Sequence, residues 1–209
     1  MIRAVGIGGA FNPPTIAHIS LAHYAMKAAG AEKAIFIPSR MDYVLDEQKK
    51  NFSFTNEERL EMLERIAFNR EWMDVCPYEI EADHQPRTYE TLCRIREDGY
   101  EVKLVFGSDK LKELEHGWKY VDKLCKEFGI ICFSRGDDSA SNIIRDDPYL
   151  HSLSDYITCI KTPEKFRNIS STKARGLYIT LKDHPDDKRA EQELRRILPE
   201  ELDGLKEWL

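Results

Sequence analysis

The chain has 209 residues, 42% of them hydrophobic and 33% charged, enough for one good-sized domain with a core and a highly charged surface. A net charge of -6 argues against a general nucleic-acid binder, and no apolar run is long enough to span a membrane. The five cysteines, Cys76, Cys93, Cys125, Cys132 and Cys159, are odd in number and form no C-x-x-C pair, which fits a reducing, cytoplasmic setting better than a disulfide framework. The histidines are scattered without an HxxxH pair, so no protein-ligated metal is expected.

In chain order, Ile2 to Ile7 reads as a first strand, entered directly from the N-terminus without a signal-peptide layout. Apolar residues return at helical spacing over Ile19 to Gly30, and Lys33 to Pro38 reads as a second strand. Ser39 to Phe54 is polar and irregular. A helix then opens at Thr55, where Thr55 and Glu58 make a capping box and Leu60, Leu63, Ile66 and Ala67 supply an apolar stripe. Met73 to Ile80 is strand material broken at Pro77. A helix runs from Thr88 to about Asp98, closed by Gly99, and Glu101 to Phe106 is a strand that ends in Gly107, Ser108 and Asp109. A short helix, Trp118, and a helix over Tyr120 to Phe128 lead to a strand at Ile130 to Phe133. Ser134 to Asp155 is acidic and loosely patterned, and Cys76, Cys132 and Cys159 fall in apparent strands, the last at Tyr156 to Ile160. A helix opens within Ile169 to Arg175, and the tail from Asp186 to Leu209 is strongly helical. The pairs Asp137–Asp138, Asp146–Asp147 and Asp186–Asp187 read as solvated turn or cap residues.

Alternating strands and helices predict an α/β fold: an open, mostly parallel sheet with helices on both faces and a helical C-terminal segment. The expected organisation is a single domain over 1–209, with 170–209 as its helical C-terminal part. In such sheets ligands bind beyond the carboxyl ends of the strands. The site is therefore expected on the loops Gly8–His18, Ser39–Lys50, Gln85–Thr88, Gly107–Asp109 and Ile169–Arg175.

The richest of these is GGAFNPPTIAH, Gly8 to His18. Its glycines and prolines define a tight loop, and the following helix N-terminus favours an anion. Thr15 adds a hydroxyl and His18 an imidazole on the same side of the first helical turn. An ordinary strand-to-helix turn with a capping His accounts for the same residues. The dinucleotide fingerprint fails because its third glycine falls on Phe11, and the Walker loop fails for want of Gly-Lys-Ser/Thr. In ISSTKAR, Ser170, Ser171 and Thr172 are good caps and equally good phosphate ligands, with Arg175 one turn on to clamp an anion.

GGAFNPPTIAH resembles the first motif of the nucleotidyltransferase superfamily, G-x-F-D/N-P-x-H/T-x-x-H, with Gly9, Phe11, Asn12, Pro13, Thr15 and His18 on its positions. The pairing of Thr15 with Asn12 is similar to the eukaryotic mononucleotide adenylyltransferases. ISSTKAR resembles the superfamily's I-S-S-T-x-x-R, with Ala174 where Ile is usual. FGSDKLKELEHGW, Phe106 to Trp118, and RTYETL, Arg87 to Leu92, resemble stretches of nicotinate mononucleotide adenylyltransferases, with Glu90 where that family has Asp, and ILPEEL is similar to the family's ending. The P-P-H-K that often follows the second strand is missing.

The resemblance, which spans nearly the whole chain, implies a Rossmann-like adenylyltransferase of NAD biosynthesis that joins ATP and nicotinate mononucleotide into the dinucleotide and pyrophosphate, with Mg²⁺ arriving on ATP. It implies catalytic roles for His18, Arg175 and Thr15. ATP would meet Gly8, Gly9, Phe11, His18, Gly107, Asp109, Ser170, Ser171, Thr172 and Arg175. The mononucleotide would meet Lys49, Lys50, Thr88, Tyr89 and Trp118. Other acceptors (phosphopantetheine, or a phospho-alcohol with CTP) and a non-catalytic nucleotide sensor are the rival readings. A homo-oligomer is compatible with all of them.

Overall fold

The computed structural model describes residues 1–40, 53–134 and 139–203. Among these residues six strands form one open, all-parallel sheet: β1 (Ile2–Gly9), β2 (Lys33–Pro38), β3 (Met73–Val75), β4 (Tyr100–Gly107), β5 (Ile130–Ser134) and β6 (Ile157–Lys161). Their order is β3-β2-β1-β4-β5-β6, so the direction of winding reverses between β1 and β4. That reversal is the switch point where open α/β sheets bind ligands. The register pairs Ile7 with Val105, which brings Gly8 to the same end of the sheet as Gly107.

The chain divides into two compact units. The first comprises Met1–Gly8, Ala22–Ile35 and Pro86–Arg167. Strand β5, paired on both sides and covered by helices, is a continuous apolar run, and Ile130 to Phe133 are all buried, whereas in edge strand β6 only Ile157 is. Its helices are α4 (Thr88–Glu97), α5 (Ser108–Gly117), the short α6 (Val121–Lys123), α7 (Ala140–Asp146) and α8 (Pro148–Ser152). Leu92 and Ile95 of α4 and Leu111 and Leu114 of α5 face the core.

The second unit comprises Gly9–Leu21, Phe36–Gln85 and Asn168–Leu209. It holds α2 (Asn56–Ala67), a turn of helix α3 (Tyr78–Glu81), α9 (Ser171–Asp183) and α10 (Lys188–Ile197). Its core joins Met62, Leu63 and Ile66 of α2 with Tyr178 and Leu181 of α9, and the Phe54 and Tyr178 rings meet edge to face at 5.1 Å. Helix α1 (Ile16–Ala29) gives its residues through Leu21 to the second unit and those from Ala22 to the first.

Four readings are corrected. Ser134 to Asp155 is more regular than its pattern, since it holds α7 and α8. Ser139 caps the first by accepting the Asn142 N–H, and Asp147 caps the second by accepting the Leu150 N–H ahead of Pro148 at N1. Strand β3 stops at Val75, and Pro77, with φ near the helical value, starts α3 instead; Cys76 thus lies one residue past the strand. The segment Tyr120 to Phe128 is a short α-helix that widens into a π-helical turn, Leu124–Phe128. The buried stripe of α2 keeps Leu63 and Ile66 of the expected set, but Arg59 and Met62 are buried in place of Leu60 and Ala67, which are half-buried. By contrast, the Thr55–Glu58 capping box is present in full. Asp147 and Asp187 are caps, as expected, while Asp137 and Asp138 lie outside the described residues.

Candidate active site

The loop after β1 is held by its carbonyl groups. The Gly9 carbonyl accepts the Ser39 N–H at 3.0 Å. The Ala10 carbonyl accepts Arg59 Nη1 at 2.6 Å, the Asn12 carbonyl accepts Arg175 Nη1 at 2.7 Å, and the Pro13 carbonyl accepts Ser171 Oγ at 2.8 Å. The Asn12 side chain is fully buried and its Oδ1 accepts the Phe54 N–H at 3.0 Å. With these oxygens tied back, the loop does not turn those lone pairs toward an incoming anion, which is what a phosphate site requires.

Phe11 takes a left-handed conformation, φ +43, and its ring is buried against Phe36 at 5.4 Å and edge-on to His18 at 5.2 Å. The two glycines of the loop differ. A Cβ on Gly9 would lie 3.4 Å from the Phe11 ring, whereas one on Gly8 would meet nothing within 4 Å. Gly8 is therefore the position where a ligand can approach bare backbone.

Thr15 precedes α1 and its carbonyl accepts the Ile19 N–H, so it stands in the N-cap position with His18 at N3. The Thr15 backbone N–H donates to His18 Nδ1 at 3.0 Å, and the Thr15 hydroxyl is 2.9 Å from the same nitrogen. This is capping-box logic with an imidazole in place of a carboxylate. Because Nδ1 accepts a backbone N–H, the ring proton sits on Nε2, which makes Nε2 a donor. The same hydrogen bond caps the helix and orients the imidazole.

Arg175 lies in the first turns of α9 and is 8% exposed. Its Nη2 donates to Thr172 Oγ1 at 3.2 Å, and burial pulls its guanidinium below its ordinary range. Ser170 is the N-cap of α9, accepting the Lys173 N–H. Ser171 and Arg175 thus meet the loop of Gly9 to Pro13 within one unit, with Thr172 on the Arg175 guanidinium, as two sequence motifs folded together.

In the other unit, Gly107 is the N-cap of α5, Ser108 is fully buried, and Asp109 is exposed at the second helical position. The Asp109 charge is felt at Cys132, whose thiol burial pushes up to about 12. Trp118 ends α5 half-buried, with its ring 5.7 Å from that of Phe106. At α4, Thr88 is the first helical residue, and the first intrahelical bond runs from the Thr91 N–H to the Arg87 carbonyl. The N–H groups of Thr88, Tyr89 and Glu90 thus have no acceptor within the helix. Glu90 turns back and accepts the Arg87 N–H at 3.0 Å. The Tyr89 side chain donates to Glu127 at 2.9 Å and packs on Tyr120 and Phe128, leaving its backbone for any ligand role. Lys49 and Lys50 lie outside the described residues.

Sequence reasoning missed Arg59 and the buried amide of Asn12. A charged residue at the head of the 59-62-63-66 stripe was the available signal for the first. Among the described residues, no group of three or more His, Cys, Asp or Glu side chains is placed to hold a metal ion, and no helix is long and apolar enough to cross a membrane. A cavity of about 450 Å³ in the first unit is lined by Arg3, Tyr100, Lys103, Gly129 and Tyr156, toward the amino ends of the strands.

The strand order and the anchored loop define an open α/β protein of nucleotide-binding topology. The cytidylyltransferase-like family model matches residues 7–177, and the chain belongs to that family. A Fusobacterium nucleatum protein named "Probable nicotinate-nucleotide adenylyltransferase" is 31% identical over 174 residues, 81% of this chain and 83% of its own. A Clostridium botulinum protein of the same name is 28% identical over 81% of this chain and 82% of its own. An Arabidopsis thaliana nicotinamide/nicotinic acid mononucleotide adenylyltransferase is 27% identical over 68% of this chain and 66% of its own. The fold is shared with the Plasmodium falciparum nicotinic acid mononucleotide adenylyltransferase complexed with NaAD, at a TM-score of 0.68 and 18% identity over the whole of this chain and 96% of that one.

Proposed function

We infer that this protein is a nicotinate-nucleotide adenylyltransferase, joining ATP and nicotinate mononucleotide into nicotinate adenine dinucleotide and pyrophosphate in NAD biosynthesis. Family membership sets the chemistry. The observation that carries the reading is the Gly9–Pro13 loop, whose carbonyls are tied back by Arg175 and Ser171 of the second motif.

In this reading an oxygen of the mononucleotide phosphate attacks the α-phosphorus of ATP in line. One P–O bond forms, the bond from the α-phosphorus to the bridging oxygen breaks, and that electron pair leaves with pyrophosphate. No protein nucleophile is needed, so catalysis is positioning and charge stabilisation. Gly8 and Gly9 lie against the α-phosphate, and His18 donates Nε2–H to the phosphate oxygens as charge builds. Thr15 holds that imidazole. Ser170, Ser171, Thr172 and Arg175 receive the leaving pyrophosphate. Gly107 and Asp109 serve the adenosine ribose, Trp118 stacks on the pyridine ring, and the N–H groups at Thr88 and Tyr89 read its carboxylate. Phe11 keeps the loop and His18 in register. Lys49 and Lys50 are proposed to meet the mononucleotide phosphate. Mg²⁺ enters as part of the ATP substrate, a hard ion held by phosphate oxygens and water.

The 1–209 single-domain organisation, with 170–209 as its helical C-terminal part, belongs to the same proposal. So does a cytoplasmic setting, supported by five free cysteines. A pyrophosphate-release assay over a panel of acceptors tests the reading. Nicotinate mononucleotide with ATP should give the highest kcat/KM; preference for phosphopantetheine, or for a phospho-alcohol with CTP, would replace it.

A further inference from the structure

Arg59 is the largest fully buried side chain in the protein's described residues, at 0% exposure, and none of the roles above uses it. Its Nη1 donates to the Ala10 carbonyl at 2.6 Å, and its Nη2 donates to the Ser39 carbonyl at 2.6 Å and to Asn56 Oδ1 at 2.7 Å. All three acceptors are uncharged. Its buried Nε has no hydrogen-bond partner among the described residues. The electrostatic influence on it comes from Glu57, an exposed residue two positions earlier in the same helix. A buried cation held by neutral acceptors is costly, and a packed apolar residue would serve stability as well or better. Placing one there calls for a different explanation.

The geometry supplies it. The Ala10 carbonyl lies in the loop after β1 and the Ser39 carbonyl follows β2, so one guanidinium ties the loops at two strand ends. The Ser39 N–H to Gly9 carbonyl bond closes the same junction. Arg59 and Arg175 bind carbonyls two residues apart, at Ala10 and Asn12. Burial lowers Arg59 to about 10, which leaves it charged at neutral pH. Its field therefore acts on the loop through low-dielectric surroundings.

We propose that Arg59 is a positioning residue for the phosphate loop: its guanidinium turns the Ala10 and Ser39 carbonyls away from the nucleotide and places a buried positive charge behind the loop backbone. The substrate group concerned is the anionic phosphate chain of a nucleoside triphosphate. This deepens the reading of the site as an ATP site, and its test does not depend on which acceptor the enzyme uses.

The test measures ATP affinity calorimetrically, beside thermal unfolding, in the wild type, Arg59→Lys, Arg59→Met, Arg59→Ala and Asn56→Ala. Arg59→Met keeps the volume and loses the charge. The expected result is folded variants in which ATP binding weakens roughly tenfold or more for Arg59→Met, the scale of a lost hydrogen bond to a charged group. Arg59→Lys should fall between it and the wild type. Millimolar guanidinium chloride, far below denaturing levels, should restore part of the affinity of Arg59→Ala and leave the wild type unchanged. Should the Arg59 variants fail to fold, Asn56→Ala decides, because it removes one of the three acceptors that orient the guanidinium and keeps its charge; there ATP affinity should still fall. Unaltered affinity in folded Arg59→Met, or in Asn56→Ala when Arg59 cannot be replaced, would overturn the proposal. If the wild type binds ATP but makes no dinucleotide from nicotinate mononucleotide, the acceptor reading fails and this one stands.

Discussion

Arg175 donates Nη1 to the carbonyl of Asn12 at 2.7 Å across 163 residues of sequence, linking the two motifs that were readable separately. The same guanidinium reaches Thr172 through Nη2, so its plane is fixed on one side by the loop and on the other by its own helix. Arg175→Lys keeps a charge but loses that fork. The expected loss is that of a charge-assisted hydrogen bond, about 1.5–3 kcal/mol, or roughly ten- to hundredfold in kcat/KM for ATP. Steady-state kinetics on folded protein checks it, and unaltered parameters would remove Arg175 from the site.

Thr15 acts on His18 through two groups, a backbone N–H and a hydroxyl, both at Nδ1. Thr15→Val removes only the hydroxyl. The tautomer should survive, and kcat should fall by roughly two- to tenfold, the range of one neutral hydrogen bond of about 0.5–1.5 kcal/mol. Thr15→Ser should recover it. A loss as large as that of removing His18 would mean that Thr15 itself touches the reacting phosphates.

The substrate preference should be acid over amide. The N–H groups at the start of α4 suit the nicotinate carboxylate, and a bond to a charged group is worth about 1.5–3 kcal/mol. Glu90 already places a carboxylate at that helix start, on the Arg87 N–H. Glu90→Gln should therefore raise kcat/KM for the acid roughly two- to fivefold, from about 0.3–1 kcal/mol of relieved charge at a helix terminus, and leave the amide unchanged. Comparing both substrates in both proteins checks this; equal efficiencies in the wild type would show that α4 does not read the carboxylate.

Burial raises the Cys125 thiol to about 11 and the Cys132 thiol to about 12. Near pH 8 both are protonated and should react with a disulfide reagent far more slowly than half-buried Cys76, Cys93 and Cys159. The raised values also set a sign. The stability that these thiols contribute is complete below the unfolded value near 9 and is lost as pH rises through 11 to 12. An alkaline unfolding titration should show the fall there, and Cys132→Ser should not remove the earlier part of it. Rapid labelling of all five thiols in the folded protein would contradict the burial.

The strands, the Thr55–Glu58 box and the α9 start were legible because each depends on local chemistry: apolar runs, caps and their spacing. Short α7 and α8 were not, since seven and five residues give too little periodicity to outweigh an acidic composition. Arg59 was hidden for a related reason. A charged residue on a helix ordinarily marks the solvated face, and only its two tertiary acceptors, the Ala10 and Ser39 carbonyls, show that it heads the buried one. The tied-back carbonyls of Gly9, Ala10, Asn12 and Pro13 depend on partners 30 to 163 positions away by number, beyond the reach of any local pattern.

The most direct measurement is product formation by the purified chain with ATP and nicotinate mononucleotide, in the wild type and in His18→Ala, beside ATP affinity for each. The wild type should release dinucleotide and pyrophosphate in equal amounts. His18→Ala should bind ATP with similar affinity and turn over about 10²-fold or more slower, as for loss of a donor that acts in the transition state. Near-normal turnover in His18→Ala, or pyrophosphate release without dinucleotide in the wild type, would contradict the account of the loop as the place where the adenylyl group is transferred.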